Sequence, residues 1–177
     1  MKQQNLFLIG PMGAGKTTIG RQLAARLGMQ FVDSDHELQH RTGVDIPTIF
    51  EFEGEAGFRQ RERDMIEELS RREGVVLATG GGVVLDADNR RHLSGRGRVV
   101  YLYCTPEQQF ERTRHDKNRP LLQTPDPQAR LRTLFQQRDP LYRELADITI
   151  ITEKRPATSV TREILQRLEQ SATKDQG

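Results

Sequence analysis

The chain has 177 residues, of which 34% are hydrophobic and 29% are charged. This length predicts a single domain over residues 1–177 with a core of its own. No apolar run approaches the roughly 18–20 residues that cross a bilayer, and the run near the amino end is too short for a secretory signal peptide. One cysteine, Cys104, excludes an internal disulfide and a cysteine-based zinc site. We therefore expect a soluble cytoplasmic domain without a membrane partner.

The net charge of +2 conceals an uneven choice of basic residues. Of 27 lysines and arginines, 22 are arginines. The planar guanidinium group binds carboxylate and phosphate through two parallel hydrogen bonds, although a genomic bias toward arginine explains the same count. The basic residues are spread among acids rather than gathered into a tract. This pattern favours small anionic ligands over nucleic acid.

Short apolar runs alternate with segments of helical spacing. The predicted strands cover residues 5–10, 30–35, 74–82, 98–104 and 147–152. A helix is predicted over residues 15–27, ending at Gly28, and helical segments over 35–53 and 55–72, with Pro47 at a helix start and Gly54 at a break. Strands separated by helices predict an α/β sandwich with a mostly parallel sheet.

Residues 112–127 interrupt this alternation. The segment is basic, contains Pro120, Pro125 and Pro127, and has no stable periodicity in its middle. These features predict a mobile loop or lid.

A phosphate-binding motif follows the first predicted strand. Residues 10–17 read GPMGAGKT and match G-x-x-x-x-G-K-[ST]. Its glycines allow backbone N–H groups to surround a phosphate, and the following helix directs its positive end at the same anion. Lys16 is expected to reach the β- and γ-phosphates, and the Thr17 hydroxyl to ligate Mg²⁺. The predicted ATP-binding residues of this loop are Gly13, Ala14, Gly15, Lys16, Thr17 and Thr18.

Two acids lie at the end of the second predicted strand. Asp33 and Asp35 flank Ser34, and ligands of parallel sheets bind at the carboxyl ends of strands. Residues two apart on a strand point to the same side, so both carboxylates are expected to face the phosphate loop. One acid would hold Mg²⁺ through water and the other would bind an attacking hydroxyl. In a second interpretation, Asp35 caps a helix that begins at His36.

Three glycines end the third predicted strand. Gly80, Gly81 and Gly82 let a ligand approach the backbone and offer N–H groups to an anion, whereas a flexible turn is the simpler interpretation. The helical segment 55–72 has an apolar stripe made of Phe58, Met65, Ile66 and Leu69. Its charges, which include Arg61, Glu62, Arg63 and Glu67, are expected to form solvated surface pairs. Composition alone does not distinguish Arg59 among them.

In this order, the segments resemble the shikimate kinase family. The resemblance covers almost the whole chain and is carried by GPMGAGKT, DSD, GFR, ATGGG, RPLL and RDPLY. It implies the three-layer α/β/α fold of nucleoside-monophosphate kinases, with a five-stranded parallel sheet. It also implies a lid over about 112–127 and an acceptor-binding helical region over about 33–62. The implied reaction is transfer of the γ-phosphoryl group of ATP to the 3-hydroxyl of shikimate, in chorismate biosynthesis.

The resemblance implies an acceptor site in which Asp35, Arg59, Gly81 and Arg138 bind shikimate, with Gly80 and Gly82 beside Gly81. Two arginines and glycine N–H groups suit a carboxylate, and an acid suits hydroxyl groups. Asp35 is expected to accept the proton of the attacking hydroxyl or to orient it.

At the nucleotide end, Thr17 matches the direct ligand of Mg²⁺ and Asp33 matches the acid that holds the metal through water. Arg119 matches the lid arginine that reaches over the γ-phosphate. Arg112 matches the residue that stacks on adenine, and Arg155 lies where the family completes the base pocket. The implied catalytic residues are Lys16, Asp35 and Arg119.

Other functions remain open at this point. Gluconate kinase and nucleotide kinases share the fold, but a nucleotide acceptor calls for a phosphate- and base-binding site. A GTPase switch calls for an N-K-x-D motif, which the sequence lacks. A role in nucleic-acid binding would rest on the basic lid alone. The expected ligands are thus ATP and shikimate, bound by a protein that acts as a monomer.

Overall fold

Five strands and seven α-helices alternate through residues 3–176, the part of the chain that the computed structural model describes. The strands are β1 (Asn5–Ile9), β2 (Gln30–Asp33), β3 (Val75–Ala78), β4 (Gly97–Tyr103) and β5 (Ile148–Ile151). The helices are α1 (Lys16–Leu27), α2 (Ser34–Thr42), α3 (Ile46–Ser70), α4 (Ala87–Arg96), α5 (Pro106–Thr113), α6 (Pro127–Leu145) and α7 (Ala157–Lys174). Short 3₁₀ turns cover Val83–Leu85 and Pro120–Leu122.

The strands form one parallel sheet in the order β2-β3-β1-β4-β5. Strand β1 lies in the middle, where Leu8 is in register with Ala78 on one side and Val100 on the other. The chain continues from β1 to the edge strand β2, returns through β3, and then crosses to the other side of β1 at β4. In open α/β sheets, ligands bind beside such a reversal, at the carboxyl ends of the strands. The parallel five-stranded sheet expected from the sequence is confirmed.

Alternating side chains of the strands build two cores. From β1, Phe7 and Ile9 pack with α2, α3, α4 and α6, whereas Leu6 and Leu8 pack with α1 and α7. This alternation follows from the pleat of a strand, and it places a layer of helices on each face of the sheet. No helix within residues 3–176 has the length and apolar character needed to cross a bilayer.

The helical segment predicted over residues 35–53 is wrong in one respect, because it consists of two helices. Helix α2 ends at Gly43, which has a φ of 73°, and helix α3 begins after Asp45, whose side chain accepts a hydrogen bond from the Thr48 N–H. The helix start at Pro47 and the break at Gly54 are confirmed. Gly43 can adopt the left-handed conformation that ends a helix, and Asp45 satisfies one of the free N–H groups in the first turn of the next.

Gly10→Ala is expected to lower the free energy of unfolding by about 2–3 kcal/mol. Gly10 has a φ of 146°, and a β-carbon there would lie 2.6 Å from the backbone oxygen of Leu102 in β4. Gly95→Ala is the control, because Gly95 lies inside α4 with no atom within 4 Å of its would-be β-carbon. There, alanine should stabilise by up to about 1 kcal/mol. Urea denaturation measures both variants, and equal stabilities would contradict the predicted clash.

Candidate active site

A cavity of about 410 Å³ lies where the chain leaves β1, β2 and β3. Its wall includes the phosphate loop, the start of α2, the glycines after β3 and parts of α3 and α6. Four basic side chains and two carboxylates line it: Lys16, Arg59, Arg119, Arg138, Asp33 and Asp35. The excess of positive charge in a concave site favours anionic ligands.

The phosphate loop forms one end of the cavity. Gly13 and Gly15 have φ angles of 80° and 92°, so the backbone turns through a conformation that glycine adopts readily. Within the described residues, no side chain caps the amino end of α1, which leaves its first N–H groups free for an anion. Gly13, Gly15, Lys16, Thr17 and Thr18 line the cavity, whereas Ala14 is buried behind the loop.

Lys16 is held by the loop that it follows. Its Nζ donates to the carbonyl oxygens of Gly10 at 2.5 Å and Pro11 at 2.8 Å. Burial, and then the charge of Arg119, lowers the pKa of Lys16 to about 8. A phosphate beside this amine would favour its charged form. Lys16 is therefore placed at the loop, and with a pKa of about 8 most of its amine stays charged at neutral pH.

Asp33 joins the end of β2 to the phosphate loop. Its Oδ2 accepts a hydrogen bond from the Thr17 hydroxyl at 2.8 Å, and its Oδ1 accepts from the N–H groups of Asp35 and His36, both at 3.1 Å. Asp33 is thus the cap of α2. The expectation that Asp35 caps a helix from His36 is wrong, because the carboxylate of Asp33 already satisfies these N–H groups.

Asp35 lies in the first turn of α2 and not on the strand. The argument that two strand positions point the same way is therefore wrong, although both acids line the same cavity. Burial, and next the charge of Asp33, raises the pKa of Asp35, while Arg119, Lys16 and Arg59 oppose the shift. A carboxylate with a raised pKa is a better proton acceptor than an ordinary aspartate.

Two arginines line another wall of the cavity. Arg59 comes from α3 and donates from Nη1 to Glu62 Oε1 at 2.9 Å, while Arg138 comes from α6 and is only 4% exposed. The buried Nε atoms of both arginines have no hydrogen-bond partner within the described chain. A pair of guanidinium groups at one wall suits a carboxylate ligand.

The three glycines after β3 make room for the side chains of the site as well as for a ligand. A β-carbon on Gly80 would lie 2.9 Å from an oxygen of Asp35 and 2.9 Å from an oxygen of Glu62. A β-carbon on Gly82 would overlap the guanidinium group of Arg59. The glycines are therefore part of how Asp35 and Arg59 reach the cavity.

Glu62 is the main site residue that the sequence interpretation missed. It was expected on the solvated face of its helix, but it is only 3% exposed. It follows Phe58 by four residues and precedes Met65 by three, so helical spacing places it on the buried apolar face. The spacing was a usable signal, which the acidic side chain obscured.

Glu62→Gln is expected to reduce the pH dependence of stability. Burial raises the pKa of Glu62 to about 7 from 4.5, although Arg59 opposes the shift. The folded state thus binds this proton more tightly than the unfolded chain does. Its contribution to stability is complete below a pH of about 4.5 and is lost as the pH rises through about 7.

The free energy of unfolding of the wild type should therefore decrease by about 2 kcal/mol relative to that of Glu62→Gln between about pH 5 and about pH 8. Urea denaturation across this range measures the difference. Parallel stability curves for the two proteins would contradict the raised pKa.

The segment after α5 forms a further wall of the cavity. Arg119, Pro120 and Leu121 line the wall, and Arg119 Nε donates to Asp116 Oδ2 at 3.1 Å. Asn118 Nδ2 lies 3.4 Å from Gln39 Oε1 of α2. Apart from the turn at Pro120–Leu122, no helix or strand lies between α5 and α6. The mobility of residues 112–127 stays a prediction.

The two arginines assigned to adenine lie outside the lining of the cavity. Arg112 braces the phosphate loop, donating from Nη1 to the Gly13 carbonyl at 2.7 Å and from Nη2 to that of Thr152 at 3.3 Å. Arg155 pairs with Glu163 of α7 at 2.6 Å. Their contacts with a nucleotide base stay predictions.

The chain is similar to known proteins that are named shikimate kinases. The sequence profile of the family described as shikimate kinase matches residues 12–169. A shikimate kinase of Methylococcus capsulatus is 56% identical over 172 residues, which cover 97% of this chain and 96% of that protein. The structure of the Acinetobacter baumannii shikimate kinase in complex with shikimate matches with a TM-score of 0.94 at 54% identity, covering 95% of this chain and 94% of that one.

A gluconokinase of Sinorhizobium meliloti is a more distant structural neighbour. Its TM-score is 0.60 at 17% identity, with coverage of 97% of this chain and 94% of that one. At this identity, the likeness concerns the fold alone. The predicted fold of nucleoside-monophosphate kinases is confirmed, and so is the resemblance stated from the sequence motifs. The chain belongs to the shikimate kinase family.

Proposed function

We propose that this protein transfers the γ-phosphoryl group of ATP to the 3-hydroxyl of shikimate, which yields shikimate 3-phosphate and ADP for aromatic amino-acid biosynthesis. One observation carries the proposal: a phosphate loop, a carboxylate with a raised pKa and a pair of arginines line a single cavity. These are the groups needed to bind ATP, receive a hydroxyl proton and hold a carboxylate. The family membership supports the same acceptor.

At the nucleotide end, the loop supplies free N–H groups and Lys16 supplies a positive charge to the phosphates. We propose Gly13, Ala14, Gly15, Lys16, Thr17 and Thr18 as the phosphate-binding residues. We propose that two arginines flank the adenine site: Arg112 in α5, which follows β4, and Arg155 in the segment after β5. Arg112 would do so while bracing the loop at Gly13.

Magnesium fits the oxygen groups beside the loop. The hydroxyl of Thr17 and the carboxylate of Asp33 are already in contact at 2.8 Å. Hard oxygen ligands of this kind suit Mg²⁺, which keeps several of its waters in nucleotide sites. We propose that Thr17 binds the metal directly and Asp33 through water. When bound, the metal would neutralise charge on the phosphates.

At the acceptor end, Arg59 and Arg138 would bind the carboxylate of shikimate together with N–H groups of Gly80, Gly81 and Gly82. These groups would hold the acceptor by its charged end. Its hydroxyl groups would then lie toward Asp35, between the arginines and the nucleotide.

Two groups act on the transferring phosphoryl group and its acceptor. Asp35 would accept the proton of the 3-hydroxyl or orient that hydroxyl for attack. Arg119, on the segment above the cavity, would stabilise negative charge on the γ-phosphoryl group in the transition state. Closure of residues 112–127 would exclude water and limit wasteful hydrolysis of ATP.

Gluconate is the alternative acceptor, since it is also a carboxylated polyol. The proposal is tested by incubating the protein with ATP, Mg²⁺ and either acid, and by identifying the product by mass and phosphorus resonance. A phosphate monoester at the 3-position of shikimate is expected. If only gluconate were phosphorylated, the protein would be a kinase whose acceptor is gluconate and not shikimate.

We further propose a cytoplasmic monomer that binds ATP and shikimate and does not bind nucleic acid. The interspersed charges of a chain with 27 basic and 25 acidic residues support the absence of nucleic-acid binding. Light scattering during gel filtration should give the mass of one chain, 20.3 kDa. A dimer mass, or salt-dependent retention on DNA, would overturn the respective part.

A further inference from the structure

Tyr142 connects α6 to the glycines after β3. Its side chain is completely buried, and its hydroxyl donates a hydrogen bond to the carbonyl oxygen of Gly81. Burial raises the pKa of Tyr142 to about 12, so the hydroxyl keeps its proton at neutral pH. It is therefore a permanent donor to this backbone oxygen.

The hydrogen bond fixes the direction of one peptide group. The Gly81–Gly82 peptide is trans, so its C=O and its N–H point in opposite directions. Because the carbonyl is directed at Tyr142, the N–H of Gly82 is directed away from it. Within residues 3–176, no group accepts a hydrogen bond from the N–H of Gly81 or Gly82, and both glycines line the cavity. Two backbone donors are thus kept free for a ligand.

Tyr142 also faces the arginine of the same site. It follows Arg138 by four residues on α6, which places the two side chains on one face of the helix, and both line a small pocket beside Pro11 and Met12 of the phosphate loop. A β-carbon on Gly81 would lie 3.4 Å from Nη1 of Arg138. Tyr142 therefore bonds to the glycine backbone and lies beside the arginine assigned to the carboxylate of the acceptor.

A rigid support holds Tyr142 in place. Its ring stacks on that of Tyr101 with centroids 4.9 Å apart and an interplanar angle of 23°. The hydroxyl of Tyr101 donates to Asp139 Oδ1 at 2.6 Å. Asp139 directly follows Arg138, so this bond attaches α6 to β4 next to the arginine. The orientation of Tyr142 is set by the core and not by the ligand.

We propose that Tyr142 is a positioning residue for the acceptor's carboxylate. It orients the Gly81–Gly82 peptide and supports Arg138, and it acts on the ligand through these two groups. The proposal rests on the function proposed above, since it assigns the carboxylate of shikimate to this end of the cavity.

Tyr142→Phe keeps the stacked ring and removes only the hydroxyl. We expect the KM for shikimate to rise about tenfold, because one buried hydrogen bond is worth about that factor. The kcat should fall by less than about threefold, and the KM for ATP should stay within about twofold. Tyr103→Phe is the matched control on β4, since no hydrogen bond of its hydroxyl occurs within the described residues, and it should behave as the wild type.

The methyl ester of shikimate separates positioning from a general loss of structure. In Tyr142→Phe, kcat/KM for the acid should fall about tenfold while kcat/KM for the ester stays within about twofold of the wild-type value. An equal fall for acid and ester, or a wild-type KM for the acid, would overturn the proposal. If Tyr142→Phe does not fold, Tyr101→Phe should lower the acid-to-ester ratio about threefold, and an unchanged ratio would overturn it. A wild type inactive toward shikimate would instead refute the proposed function.

Discussion

Asp35→Asn is expected to lower the kcat of shikimate phosphorylation by about 10³-fold. The amide cannot accept the hydroxyl proton, and it lacks the negative charge that faces Lys16, Arg119 and Arg59. The fold should persist, because burial disfavours the charged form of Asp35 and a neutral amide of the same shape removes that cost. Steady-state kinetics and thermal unfolding of the same preparation measure the two effects.

Asp64→Asn provides the matched control for this substitution. Asp64 lies on the exposed face of α3, where it accepts a hydrogen bond from Gln60 at 3.0 Å. Its kcat should equal that of the wild type. Substantial activity of Asp35→Asn would remove Asp35 from the catalytic residues, and an unfolded variant would contradict the argument about its charge.

Arg119→Ala is expected to lower kcat by about 10³-fold while the Kd for ATP changes by less than about tenfold. The reason is that an arginine beside the γ-phosphoryl group stabilises negative charge more strongly in the transition state than in bound ATP. Arg119 lines the cavity from the segment above it. In the ground state, Lys16 and the loop N–H groups already hold the phosphates. Single-turnover kinetics with separately measured ATP binding distinguishes the two quantities.

Arg114→Ala is the control on the same segment. Arg114 is 48% exposed and pairs only loosely with Glu111 at 3.9 Å, so its loss should leave kcat and ATP binding unchanged. If Arg119→Ala reduced ATP binding as much as turnover, the arginine would act in binding and not in the transition state.

The phosphate loop was predictable because its signal is local. Gly10, Lys16 and Thr17 stand at fixed distances between an apolar strand and an amphipathic helix, and the loop geometry follows from those residues alone. Alternation of strands and helices predicted the parallel sheet for the same reason. The resemblance to a family then supplied Arg59 and Arg138, which composition did not single out.

The acids after β2 show where local inference was limited. Asp33 and Asp35 were expected on one strand, but the carboxylate of Asp33 captures the first N–H groups of α2 and ends the strand there. Capping competes with strand extension, and the sequence alone supports both. Their place in one cavity was still predicted, because both positions lie at the carboxyl end of β2.

Tertiary contacts account for what the sequence did not reveal. Glu62 lies against Gly80 after β3, which is a contact between distant parts of the chain, and Tyr142 reaches Gly81, 61 positions away. Neither contact follows from spacing along the chain. Arg155, conversely, matches a family position, but it forms an ion pair with Glu163 of α7.

The most direct measurement is ADP release by the wild type with ATP and Mg²⁺, coupled to NADH oxidation, in the presence of shikimate, gluconate, AMP or no acceptor. The paired arginines and Asp35 in one cavity predict turnover with shikimate alone. Equal ADP release with every acceptor and with none would leave a nucleotide-binding loop but contradict the assigned acceptor site.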